Sequence, residues 1–244
     1  MSTTFEVIPI ETTEITFRQV VELSEKRINS FLKQNNIDKD ISLNINLHEN
    51  SEKYVKEINL DSAFEWQEDE YVWFKIDGVA GGTDSYCEVL KDLSEPNDPW
   101  WRLDDFKANN STIEDFDSKI EKVKNLNRYW TLRRSMGQTG LINLSYGLIS
   151  ASIAELTNGF IWTDDGAWDY KKFPAEPVEF YKWYFNPDVE ENEEFSDWAK
   201  RCLNGIKEEI IAVNNGSNAM ADESVNDTIN NKTNFWSKLK SWWS

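Results

Sequence analysis

Leu141-Ile-Asn-Leu-Ser-Tyr-Gly-Leu-Ile-Ser-Ala-Ser-Ile-Ala-Glu-Leu-Thr157 is the stretch that decides the fold. Its apolar residues Leu141, Ile142, Leu144, Leu148, Ile149, Ile153 and Leu156 fall on every side of a helical wheel, among the small residues Gly147, Ser150, Ala151 and Ala154. A helix that is apolar almost all round has to be buried, and small side chains let its neighbours come close. The pattern therefore predicts a central buried helix over about 141–157, closed by a C-cap at Asn158-Gly159.

Such a helix needs layers around it, and the flanking sequence supplies strand patterns. Upstream, Tyr129 to Ser135 reads as a strand, followed by a glycine-bearing turn at Gly137 and Gly140. Tyr71 to Ile76 and about 84–91 read as a hairpin turned at Asp77-Gly-Val-Ala-Gly-Gly82. Near the start, Phe5 to Ile10 predicts a strand that Pro9 places near an edge. Thr16-x-x-Gln19 is a capping-box signal, after which Phe17, Val20, Val21, Ile28, Phe31 and Leu32 recur at helical spacing over 16–34. Ile41, Leu43, Ile45 and Leu47 then alternate with polar residues, the period of a half-buried strand, so the opening reads β-α-β. Ser111-x-x-Glu114 predicts a cap for a short helix to about Leu126.

Downstream, Phe160-Ile-Trp162, the turn Asp164-Asp165-Gly166 and Ala167-Trp168 predict a compact hairpin. Pro177 opens an aromatic helix to Phe185, and Phe195 to Val213 predicts another with Trp198, Leu203, Ile206 and Ile210 inward. Together these patterns predict an α+β fold: one mixed or antiparallel sheet with helices packed mainly on one face. Residues 1–213 form a single domain with a soft boundary near 94–112, 214–231 have the Asn, Ser, Gly and Asp composition of a linker, and 232–244 form a tethered amphipathic helix.

Charge narrows the function. The chain of 244 residues carries 44 Asp and Glu against 26 Lys and Arg, a formal net charge of −18, so nucleic-acid phosphates would be repelled. It has 12 Trp and a single histidine, His48, which suits contact with a basic protein partner better than acid-base or metal chemistry. No basic and apolar leader opens the sequence and no stretch has the length of a membrane span, so a cytoplasmic protein is expected. Cys87 and Cys202 read as reduced thiols rather than a disulfide, and neither has a catalytic context beside His48.

Asp164, Asp165 and Asp169, with Glu155 near them, make the densest acidic cluster beside a core element. They can be turn residues, charges facing a basic partner, or oxygen ligands for a divalent ion, although the spacing matches no calcium loop. Arg133 and Arg134 sit before the buried helix, where they suit either an anion at its N-terminus or internal salt bridges to nearby carboxylates. Gly78-x-x-Gly81-Gly82 lacks a following Lys-Ser/Thr and reads as a hairpin turn rather than a phosphate loop. Trp100, Trp101, Trp162 and Trp168 are either core anchors or interface residues. At the end, Phe235, Trp236, Leu239, Trp242 and Trp243 share one helical face beside Lys232, Lys238 and Lys240. That face suits the chain's own acidic surface, a membrane interface or a partner groove.

The run Tyr146 to Tyr170, centred on Ala154-Glu-Leu-Thr-Asn-Gly-Phe-Ile-Trp-Thr-Asp-Asp-Gly-Ala-Trp-Asp169 and followed by Phe173-Pro174, resembles a segment of the bacterial immunity proteins of contact-dependent or type VI secretion systems. In that pattern a buried helix ends in glycine, a short hairpin follows and a helix packs beneath it. The resemblance covers a small part of the chain. It implies a non-catalytic protein that neutralises a cognate basic toxin or effector by occluding its active surface, with no cofactor or metal. The resemblance assigns no contact residues; from their charge and aromatic character, partner-binding residues are expected at Asp164, Asp165, Trp168, Asp169, Trp162, Trp100 and Trp101. The rival expectations are a metal-dependent enzyme built on Asp164, Asp165 and Asp169, and an adaptor held at the inner membrane surface by its C-terminal helix.

Overall fold

The computed structural model describes residues 3–11, 14–49, 55–89, 113–123, 126, 128–163, 168–190 and 192–214. Seven strands form one sheet: β1 (Thr3–Ile8), β2 (Leu43–Glu49), β3 (Val55–Lys56), β4 (Glu70–Ile76), β5 (Thr83–Val89), β6 (Arg128–Arg134) and β7 (Phe160–Trp162). Their spatial order is β3-β2-β4-β5-β6-β1-β7, and every pairing is antiparallel. Among the described residues five α-helices accompany them: α1 (Phe17–Gln34), α2 (Phe116–Val123), α3 (Gly140–Leu156), α4 (Pro177–Trp183) and α5 (Glu193–Asn214). The architecture is α+β. By backbone contact the chain divides into two compact units, Met1–Gly205 and Ile206–Ser244; of the second, the described residues 206–214 are helical.

Helix α3 is the central element. Thirteen of its 17 residues are buried, and its buried hydroxyls turn back onto its own carbonyls, Ser150 donating to Tyr146 at 2.8 Å and Ser152 to Leu148 at 2.7 Å. This back-bonding lets polar side chains enter an apolar layer without leaving donors unmade. A methyl at Gly147 would overlap the Tyr184 ring, so glycine here is what allows α3 and the chain after α4 to meet. The helix starts on Thr139, whose Oγ1 accepts from the Ile142 amide at 3.3 Å.

Alternation assigns the sheet faces. Phe5 and Val7 of β1, Trp130 and Leu132 of β6, Val72 and Phe74 of β4, and Leu43 of β2 are buried on the face that α1 and α3 cover. Helix α1 is held there by Val20, Ile28 and Leu32, each 0% exposed. Its capping box is complete, with Gln19 N donating to Thr16 Oγ1 at 3.2 Å and Thr16 N to Gln19 Oε1 at 2.8 Å. Arg27 of α1 grips Glu155, the one charged residue of α3, through contacts of 2.5–3.0 Å.

Several boundaries differ from the sequence pattern. Strand β1 spans Thr3–Ile8 rather than residues 5–10, stopping before Pro9; it lies near an edge as expected, between β6 and the edge strand β7, so proline leaves the ladder intact. The left-handed residue that ends α3 is Asn158, with φ of 52°, rather than Gly159. Glycine is needed at 159 for another reason, since a side chain there would collide with the Ile8 carbonyl. Ala175 bridges Ile161 beside β7, exchanging two hydrogen bonds of 2.9 Å, while the predicted turn Asp164-Asp165-Gly166 and Ala167 lie outside the described residues. The predicted boundary near 94–112, residues 215–231 of the predicted linker and the C-terminal helix lie outside the described residues, while Asn214 is helical.

Candidate functional site

The sequence-predicted residues do not converge on one place. Asp164, Asp165, Trp100, Trp101, Phe235, Trp236, Leu239, Trp242 and Trp243 lie outside the described residues. Trp162 is 1% exposed and in this fold is a core residue rather than a surface anchor. Asp169 shapes its own turn, its Oδ1 accepting from the Lys171 amide at 3.0 Å. Glu155 turns away from that turn to Arg27 and to the Tyr181 hydroxyl, which donates to it at 3.0 Å. Trp168 is half-buried, and its Nε1 donates to Tyr146 Oη at 3.0 Å. Among the described residues no group of three or more His, Cys, Asp or Glu side chains could hold a metal ion.

Arg133 and Arg134 part company because successive strand residues face opposite ways. Arg133 points away from α1 and α3 and stands opposite Asp84 across the β5–β6 pair. Its Nε donates to Asp84 Oδ2 at 2.9 Å, and its Nη2 lies 3.0 Å from Tyr86 Oη. Burial, and then the Asp84 charge, push the Tyr86 phenol up to about 12, so it stays a neutral donor to Asp84 at 3.2 Å. This cluster is an internal ion pair. His48 is stacked on Tyr71, ring centroids 5.0 Å apart. Neither cysteine is in a disulfide, and burial pushes the Cys87 thiol up.

Two clefts combine charged groups with aromatic surface. The first, of about 310 Å³, opens where the chain entering α1 passes the segment before β4. Phe64 N donates to the Ile15 carbonyl at 2.7 Å, and Thr16 forms a bridge with Ala63, which holds the two walls together. Its floor is Ile15, Phe64 and Trp130, each 7% exposed or less. Its rim carries Glu11, Glu14 and Glu65, all exposed, against one cation, Arg128, which pairs with Glu65. Acids around an aromatic floor favour the long stem and charged head of a lysine or arginine. Neither Glu11 nor Glu14 stood out in the sequence, because the rim is assembled from segments near residues 9–15, 63–65 and 126–130.

The second cleft, of about 220 Å³, is lined by Arg134, Trp168, Glu194, Phe195 and Trp198. The Trp168 ring lies 5.4 Å from that of Trp198, edge to face, and 6.5 Å from that of Phe195, stacked. Of these residues, Trp168 and Arg134 attracted notice in the sequence as candidate binding groups and Trp198 as a core position. No protein-family model, no curated protein and no solved structure matches the chain. No helix among the described residues is long and apolar enough to cross a membrane.

Proposed function

We propose that this chain is a non-catalytic binding protein that neutralises a basic protein toxin or effector, in the manner of an immunity protein, and that it engages its partner at the acid-rimmed cleft. The observation that carries the reading is the cleft itself: Glu11, Glu14 and Glu65 around a floor of Ile15, Phe64 and Trp130. A partner arginine or lysine entering it gains apolar contact along its stem and an opposite charge at its head. The formal net charge of −18 extends the attraction beyond the cleft and speeds encounter with a basic surface. Occlusion needs no cofactor. The partner's active surface is covered rather than chemically altered.

Immunity genes lie beside their toxins, so the test starts from the product of the adjacent gene. Its expression alone should stop growth of a bacterial host, and co-expression of this chain should restore it. Glu14→Gln with Glu65→Gln should slow association at low salt by roughly tenfold and leave dissociation less affected, because steering charges act on encounter. Failure of co-expression to restore growth would remove the toxin-neutralising reading. An unchanged association rate in the double variant would move the interface elsewhere.

A further inference from the structure

The Arg134 cleft has chemistry that the proposed interface does not use. Arg18, Arg27, Arg128 and Arg133 each pair with a carboxylate. Arg134 has no carboxylate partner among the described residues, on a chain with an excess of acids. It stands at the end of β6 on the helix-covered face, its guanidinium 5.2 Å from the Tyr146 ring centroid and its buried Nε without a hydrogen-bond partner. A guanidinium held against an aromatic ring with its Nε donor unmade is a site prepared for a planar anion. Glu194 adds an exposed carboxylate to the lining of the same cleft, and Trp168, Phe195 and Trp198 supply ring surface.

A cation and an anion bounding an aromatic slot match a small zwitterion that carries a ring. The volume of about 220 Å³ lies below the roughly 300–1,000 Å³ of sites for drug-sized ligands. We propose that this cleft binds a free aromatic α-amino acid: its carboxylate on Arg134, its ammonium on Glu194, and its ring against Trp168 and Trp198. The proposal is independent of the toxin-neutralising reading, since neither the acid-rimmed cleft nor its rim residues take part.

The test is calorimetric titration of the full chain with L-phenylalanine, alongside phenylacetate, which lacks the ammonium, and phenylalaninamide, which lacks the carboxylate. L-Phenylalanine should bind with a dissociation constant of about 1 mM or tighter, and each analogue at least about tenfold more weakly. Arg134→Gln should abolish binding of L-phenylalanine. Glu194→Gln, a change at an exposed position that spares the core, should weaken L-phenylalanine by about tenfold and leave phenylacetate unaffected. Absence of heat with L-phenylalanine at about ten times that concentration, or equal affinity in wild type and Glu194→Gln, would overturn the proposal. So would phenylacetate binding as tightly as L-phenylalanine.

Discussion

At Gly147 the main chain of α3 lies against the Tyr184 ring, and that ring is itself fixed, its hydroxyl donating to the Asn143 carbonyl at 2.8 Å. With Tyr184 only 1% exposed, it has no solvent into which to retreat. Gly147→Ala should therefore destabilise the fold by about 1–3 kcal/mol through overpacking, despite the better helix propensity of alanine. Urea denaturation checks this, and a variant as stable as the parent would mean that the ring yields freely. Glu70 offers a pH-dependent counterpart. Burial pushes its carboxyl up, but hydrogen bonds from Lys56 at 2.8 Å and from the Gln67 amide at 3.0 Å hold it below the ordinary value of 4.5. A carboxyl depressed on folding stabilises above its unfolded pKa and loses that contribution as the pH falls through the folded value. Glu70→Gln should thus be less stable than the parent near neutral pH, and the gap should close when denaturation is repeated at about pH 3.

Single elements show what local sequence can and cannot specify. The capping box at Thr16 and Gln19 announced the start of α1, and the alternation of Leu43, Ile45 and Leu47 announced β2, because both signals are read within a few neighbouring residues. The end of α3 was legible in place but not in mechanism. Asn158 adopts φ of 52° and also donates from Nδ2 to Glu11 at 3.1 Å, while the adjacent glycine serves packing against Ile8. Asn158→Ala should then be destabilised by about 1–2 kcal/mol, the strain of a left-handed alanine, whereas Asn158→Gly should lose less. Thermal denaturation of the two variants side by side distinguishes them; equal losses would assign the effect to the Glu11 contact. The partners of β1 and β7 were not legible. Pairing Val7 with both Trp130 and Ile161 joins residues far apart in the chain, and no short pattern encodes it.

For the molecule as a whole, both clefts escaped a sequence reading for the same reason: each gathers residues from three segments, and only the folded sheet brings them together. The parity of β6 was the one available clue, since alternation with Trp130 and Leu132 already sends Arg134 inward and Arg133 outward. The net charge of −18, legible from composition, has a thermodynamic consequence. Like charges repel across a compact surface, so screening should favour the folded state. Raising sodium chloride from about 20 mM to about 500 mM should raise the Tm, and a flat or falling Tm would show that local ion pairs such as Arg27 with Glu155 outweigh the overall repulsion. Finally, the place of β1 between β6 and β7 bears on vectorial synthesis. Thr3–Ile8 is synthesised before both of its neighbours, neither of which exists until residues 128–134 and 160–162 have been made. At a translation rate of roughly 5–20 residues per second, that interval is about 8–30 s. Throughout it this segment carries Phe5, Val7 and Ile8 without their sheet partners, which makes it the natural landing point for a holding chaperone.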